Sequence, residues 1–286
     1  MFSPFPFAFG VNEFTTQPWR FEEDVTRYAA LGVDAIEICE AKLDTGRIAE
    51  QFALVKEKGL RISALQPEVR TFHASKMKPS PEGLDARYDR LLHTLHRYAA
   101  YTPGVPYVVN TGAATDGNLQ RVVDDTIRAL STLAPIAADH GVTLSLEPLN
   151  PTSLNTETAI WTLDHAMDII DAVAHPALGL CLDLWNIWQQ PNLTAALERA
   201  VPRTNVLQVS DWRFPHSSGD RLVPGDGDIP LGQLLKRIHA LGFNGACTVE
   251  LFSNDVADSL YDQDLNQVIK RSRAGLTRAW QESTPL

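Results

Sequence analysis

Short apolar runs rich in Val, Ile and Leu recur along this chain, and longer stretches with a spacing near 3.6 separate them. The short runs are FAFGV (7–11), DAIEIC (34–39), RISALQ (61–66), PYVVN (106–110), TLSLE (143–147), LGLCLD (178–183), NVLQVS (205–210) and ACTVE (246–250). Their length and composition predict strands. PWRFEEDVTRYAALG, RIAEQFALVKEKG, YDRLLHTLHRYAAY, LQRVVDDTIRALSTLAPIAADHG and IPLGQLLKRIHALG have helical composition and period. Gly32, Gly59, Gly141 and Gly242 each close a helical run shortly before a strand, where helix C-termini favour glycine. Eight alternations of this kind predict an α/β fold, a (β/α)8 TIM barrel. An open doubly wound sheet is disfavoured, because no glycine-rich nucleotide fingerprint follows the first strand. The 286 residues suit a single barrel domain over 1–286, with a core over about 5–280 and a short polar tail after Trp280. The segments His73 to Gly83 and Phe214 to Gly227 read as long loops.

Four of the strands end on a side chain able to offer an oxygen: Glu147, Asp183, Gln208 and Glu250. Side chains alternate across a strand, so residues two apart share a face. Thr143, Ser145 and Glu147 then oppose Leu144 and Leu146, and Gly179, Cys181 and Asp183 oppose Leu180 and Leu182. Ala246, Thr248 and Glu250 oppose Cys247 and Val249, and Val206 and Gln208 oppose Leu207 and Val209. Each donor shares its face with small or moderate residues, so all four are expected to point to the barrel axis. They also fall near strand C-terminal ends, where barrel enzymes carry their chemistry. A single strand-end carboxylate is most simply paired with an arginine or a backbone amide. Three carboxylates and an amide with matched parity point instead to one converging metal site, since burying carboxylates without compensation is costly.

Composition narrows the partners. A formal charge of −10 argues against nucleic acid and against an anionic membrane, both of which favour basic surfaces. Cys39, Cys181 and Cys247 fall inside predicted strands and form no metal-like cluster, as expected of small buried hydrophobes in a reducing cytosol. The N-terminal MFSPFPFAFG lacks the basic start and long apolar core of a signal peptide, and no stretch approaches transmembrane length. A soluble, cytoplasmic protein is the expectation.

GVDAIEI, LEPLN, LNTETAIWTLDHA, LGLCLDLWN, RLVPGDGDIPL and GFNGACTVELF together resemble the xylose-isomerase-like TIM-barrel superfamily of sugar isomerases, epimerases and related lyases, over nearly the whole chain. The resemblance implies that Glu147, Asp183 and Glu250 are metal ligands and that Arg221 binds substrate. It also implies a dimer or tetramer. Two positions depart from the pattern. Most sugar epimerases of this group have histidine as third ligand, where this chain has Gln208. The family's bacterial 3-dehydroshikimate dehydratases are similar here, with glutamine, and their last strand ends in a pattern like ELFSND. Three residues past Asp183, where relatives carry a histidine that contacts substrate or relays protons, stands Asn186. Its amide hydrogen-bonds but cannot shuttle protons near pH 7. Arg70, in QPEVRTF, resembles an arginine of the dehydratase subgroup.

Three carboxylates and one amide oxygen form an oxygen-only set that suits one divalent ion, Mn²⁺ or Mg²⁺, with Co²⁺ also acceptable. Such an ion would take a carbonyl and a neighbouring hydroxyl of a sugar-like substrate and stabilise the enediolate left when the adjacent proton departs. Glu147 and Glu250 are the expected base and acid. Substrate contacts are expected from Trp185, Trp188 and Trp212 as an apolar wall, and from Asn186, Arg221, Arg70 and His216. Glu37, Gln66, Glu68 and Asn110, at or near earlier strand ends, are expected to line the far side. Arg221 either binds substrate oxygen or braces Glu147; Arg213 lies in the same loop; His73 is a candidate proton carrier. The acidic, glycine-free SNDVADS after the last strand disfavours a phosphorylated substrate, which barrels hold in glycine-rich nests. The expected function is therefore a divalent-metal-dependent isomerase or epimerase of an unphosphorylated ketose, keto-sugar or polyol derivative. The alternatives are a dehydratase of the 3-dehydroshikimate or inosose type and a non-catalytic carbohydrate-binding barrel.

Overall fold

The computed structural model describes residues 4–214, 219–254 and 256–284. Its strands are β1 (Ala8–Asn12), β2 (Ala35–Cys39), β3 (Arg61–Gln66), β4 (Pro106–Val109), β5 (Thr143–Leu146), β6 (Leu178–Asp183), β7 (Thr204–Val209) and β8 (Ala246–Val249). They close into a barrel in chain order, β1 to β8. The helices among the described residues are α1 (Phe21–Ala30), α2 (Ile48–Glu57), α3 (Leu84–Tyr98), α4 (Leu119–Asp139), α5 (Leu163–Val173), α6 (Leu184–Ile187), α7 (Leu193–Ala200), α8 (Leu231–Ala240) and α9 (Leu265–Glu282). The architecture is the (β/α)8 TIM barrel that the alternation predicts, and every strand agrees with its predicted run to within one residue at each end. Among the described residues no helix is long and apolar enough to cross a membrane.

Amphipathic spacing explains the helices. In α4 the buried positions Val122, Thr126, Ala129, Leu130, Leu133, Ala134 and Ala137 recur at steps of three and four, and Asn118 caps the first turn by accepting from the Arg121 N–H at 3.0 Å. The helix after β8, α9, continues two residues past Trp280, so the polar tail begins later than composition suggests.

The chain falls into two compact units. One is Ala64–Val206; the other joins the residues up to Ser63 with those from Leu207 onward. In the first, β4, β5 and β6 run parallel with Val108 opposite Ser145 and Ser145 opposite Gly179. Ala64, Val108, Cys181 and Val206 pack together there, each at most 2% exposed. Two residues further along the chain from the first three come Gln66, Asn110 and Asp183. Strand alternation therefore stacks a polar layer directly on a layer of small apolar side chains. In the second unit β1 lies parallel to both β2 and β8, and β7 is parallel to β8, with Gly10 opposite Thr248 and Gln208 also opposite Thr248. Gly10 is required there, because a Cβ at that position would lie 2.6 Å from Thr248 Oγ1.

Gly10→Ala should therefore lose ~1–3 kcal/mol of stability from overpacking. Adding Thr248→Ala should restore part of the loss, as read by urea denaturation. A Gly10→Ala protein as stable as the native one would mean that β1 and β8 separate at no cost.

Candidate active site

Glu147, Asp183 and Glu250 stand at, or one residue beyond, the C-terminal ends of their strands, and Gln208 is the penultimate residue of β7. Glu147 and Glu250 have left the assigned strands, yet their backbones stay anchored, donating to Val109 O and Val209 O, both at 3.0 Å. Asp183 is the last residue of β6. It also caps the short α6, accepting from the Trp185 N–H at 3.0 Å. That local turn follows from an aspartate placed directly before LWNI.

In the Ala64–Val206 unit, Asn186 ties two of the carboxylates together. Its Nδ2 donates to Glu147 Oε1 at 3.0 Å and to Asp183 Oδ2 at 2.8 Å. Its Oδ1 accepts from the Asn150 N–H at 3.0 Å, which fixes the orientation of the amide. Asn110 Nδ2 donates to the other oxygen of Glu147 at 2.9 Å. Both oxygens of Glu147 are therefore held by neutral amides.

In the other unit Asn12, Gln208 and Arg221 hold Glu250. Asn12 Nδ2 donates to Glu250 Oε1 at 2.9 Å, and Gln208 Nε2 donates to the same oxygen at 3.2 Å. Arg221 Nη1 pairs with Glu250 Oε2 at 3.0 Å, and the guanidinium lies 4.9 Å from the centre of the Phe252 ring. Gln208 Nε2 also donates to Glu37 Oε1 at 2.7 Å. Glu37, Gln208, Arg221 and Glu250 are all buried.

Glu147, Asp183 and Glu250 each offer a carboxylate oxygen, and these oxygens lie within 4.8 Å of one another. Three buried, ionisable oxygens at that spacing, already met by hydrogen-bond donors, form a hard donor set that could hold a divalent metal.

Arg221 meets Glu250, because the segment after β7 runs antiparallel to the segment after β8. Asp220 bridges Ser253, and the Arg221 N–H donates to Phe252 O at 2.8 Å. Asn186 and Asn110 spend their amide nitrogens on carboxylates. Trp185 is buried on α6, while Trp188 and Trp212 are partly exposed. Gln66 is buried at the end of β3, and Arg70 lies partly exposed in the loop after it. Glu68 pairs with Arg90 at the surface, 3.1 Å apart. His73 Nε2 meets Asp125 at 3.0 Å, and burial lowers its pKa despite that carboxylate. Arg213 is clamped by Asp220 at 2.9 Å and Asp258 at 2.7 Å. His216 lies outside the described residues.

Two residues were missed by the sequence reading. Asn12 shares the parity of Gly10 and directly follows a predicted strand, so strand alternation could have found it. Asn150, which orients Asn186, left no such signal. Beside Asn12, the fully buried Glu13 accepts from the Cys39 N–H at 2.7 Å, while Asp24 pairs with Lys42 at 2.6 Å. Burial, reinforced by the neighbouring Asp24 charge, pushes the Glu13 carboxyl well above its ordinary range. Burial also raises Asp24, against the pull of Lys42.

A family model described as a xylose isomerase-like TIM barrel matches residues 25–278. The chain belongs to that family. This xylose isomerase-like barrel is similar to the inosose isomerase of Halalkalibacterium halodurans, with 29% identity over 155 residues, covering 52% of this chain and 54% of that enzyme. It is similar also to the 3-dehydroshikimate dehydratase of Pseudomonas putida, with 25% identity over 279 residues, covering 92% of this chain and 42% of that protein. The barrel thus spans about half the length of the curated relatives it matches. A crystal structure of the IolI protein with a zinc atom bound shares the fold, with a TM-score of 0.78 at 19% identity over 98% of this chain and 100% of that one.

The Glu13 environment makes a pH-dependent prediction. A carboxyl with a raised folded-state pKa binds more protons folded than unfolded. Its contribution to stability is therefore lost as pH rises from the ordinary carboxylate value, about 4.5, through the raised one. Glu13→Gln carries no such proton. Its stability relative to the native protein should therefore be higher at about pH 8 than at about pH 5. Chemical denaturation at the two pH values checks this; an equal difference at both would contradict it.

Proposed function

We propose that the protein is a divalent-metal-dependent isomerase or epimerase of an unphosphorylated ketose, keto-sugar or polyol derivative. The observation that carries this reading is the cluster of Glu147, Asp183 and Glu250, with carboxylate oxygens within 4.8 Å of one another at the C-terminal ends of barrel strands. Family membership and the similarity to inosose isomerases support it. Glu147, Asp183, Glu250 and the amide oxygen of Gln208 are the proposed ligands, for Mn²⁺ or Mg²⁺. The zinc in the IolI protein supports a metal in this family's barrel without naming the one used here. A bound divalent ion would polarise a substrate carbonyl and stabilise the charge left when the neighbouring proton departs.

The chain's own groups move the protons. Glu147, held by Asn110 and Asn186 through neutral amides, is the proposed base. Glu250, held by Asn12, Gln208 and Arg221, is its counterpart. Delivery by Glu250 to the opposite face of the same carbon gives epimerisation, and delivery to the neighbouring carbon gives isomerisation. Asn186 takes no proton; its amide is committed to Glu147, Asp183 and Asn150. The preference for an unphosphorylated substrate is supported by Arg213, whose guanidinium is already occupied by Asp220 and Asp258 in the loops where barrels hold phosphate.

A second reading, a dehydratase of a cyclic keto-acid or inosose, is favoured by Gln208 and by the similarity to the P. putida dehydratase. The two readings separate in one experiment. The protein is incubated with Mn²⁺ in D₂O against ketoses, inososes and 3-dehydroshikimate. Solvent deuterium in recovered or isomerised sugar is the expected result, whereas enone absorbance from a cyclic acid would assign the dehydratase instead. Glu147→Gln and Glu250→Gln should each lower turnover by about 10²–10⁴-fold. The enzyme reading falls if neither signal appears and Glu147→Gln leaves the metal content unchanged.

A further inference from the structure

β1 pairs with β8 as far as Val11 opposite Val249, and the chain then leaves the sheet through a short 3₁₀ turn, Glu13–Thr16. Glu250 therefore stands one residue past the last paired residue of β8 on that side. On its other side the Glu250 N–H still donates to Val209 O, at 3.0 Å. The next N–H, that of Leu251, turns to the edge that β1 has vacated, and a buried N–H needs an acceptor. Thr15 supplies one. Its hydroxyl accepts from the Leu251 N–H at 3.0 Å and donates to Val249 O, also at 3.0 Å. Thr15, Val249, Glu250 and Leu251 are all buried. One oxygen thus grips the backbone immediately before and immediately after Glu250. A second hydroxyl ties the same turn to the same segment, since Tyr261 Oη reaches Phe14 O at 2.8 Å and Leu251 O at 3.1 Å.

We propose that Thr15 is a positioning residue for Glu250. Its hydroxyl continues the β1 edge one rung beyond the sheet, with Tyr261 in support, and so fixes where the Glu250 carboxylate stands in the metal site. The inference rests on the metal-site reading above. Binding constellations work when their groups are held to within about 0.5 Å, and a ligand just past the end of its strand has lost half of the ladder that would hold it. Asn12, which opens the same turn, donates to Glu250 Oε1 at 2.9 Å. The turn therefore sets both parts of Glu250, Thr15 its backbone and Asn12 its carboxylate. The adjacent Thr16 faces elsewhere, donating its hydroxyl to Asp24 Oδ1 at 2.6 Å.

The test measures Mn²⁺ affinity by the loss of the free-ion electron paramagnetic resonance signal, so it needs neither substrate nor turnover. Thr15→Val keeps the side-chain shape and removes the hydroxyl. It should weaken Mn²⁺ binding by about 10–100-fold, the usual cost of losing a group that orients a ligand. Thr15→Ser keeps the hydroxyl and should bind with close to native affinity. Thr16→Val removes a buried hydroxyl from the same turn and should also bind like the native protein, whatever its loss of stability. Circular dichroism establishes that each variant is folded. If Thr15→Val does not fold, Tyr261→Phe, at a partly exposed position, takes its place and should weaken binding by a smaller factor. Three results would overturn the inference while leaving the metal site standing. They are native affinity in Thr15→Val or in its substitute, an equal loss in Thr15→Ser, and an equal loss in Thr16→Val. No Mn²⁺ binding by the native protein would overturn both.

Discussion

Three buried carboxylates held within 4.8 Å of one another repel, and much of the structure at the strand ends serves to keep them there. With an effective dielectric of about 20, each pair at that spacing opposes the fold by about 3–4 kcal/mol. Hydrogen bonds to charged groups contribute about 1.5–3 kcal/mol each, so several donors per carboxylate are needed to offset the repulsion. Asn12, Asn110, Asn186 and Gln208 supply amide N–H groups, α6 supplies a backbone N–H, and Arg221 supplies a full positive charge. Neutral donors dominate. They hold the carboxylates in place without cancelling the negative charge that attracts a cation.

The barrel was legible in the chain because its two signals are local. Strand alternation placed small residues such as Cys181 and Val206 on the same faces as Asp183 and Gln208, and the structure packs exactly those small residues as one apolar layer. Helix ends followed from glycines and from the amphipathic spacing. Partner choice was not legible. Arg221 pairs with Glu250, because the chain after β7 doubles back along the segment after β8. Backbone pairing outside the barrel sheet sets that contact, and no periodicity reports it. Asn12 escaped for a different reason. It ends β1 one residue beyond the predicted run, where an asparagine reads as a helix cap, and its side chain does accept from the Phe14 N–H. One carboxamide does both jobs, its oxygen capping a turn and its nitrogen holding Glu250.

The two departures from the family pattern become related once their contacts are known. Asn186 and Gln208 both put an amide where relatives carry imidazole, and both amides donate twice to carboxylates. The site thereby replaces groups that titrate near neutrality with groups that do not titrate. Proton movement in the proposed reaction then falls to carboxylates alone, which narrows the chemistry to steps that a carboxylate can drive with help from a cation.

The antiparallel run that carries Arg221 also bears on how such barrels diversify. Arg213 grips Asp220 in its own loop and Asp258 in the next, while Asp220 bridges Ser253. The loops after β7 and β8 are therefore tied to one another by paired charges and by backbone pairing. Grafting either loop alone from a relative would strand a guanidinium or a carboxylate of the other. Exchange of substrate preference by recombination has to move both together, with β8 carried along between them.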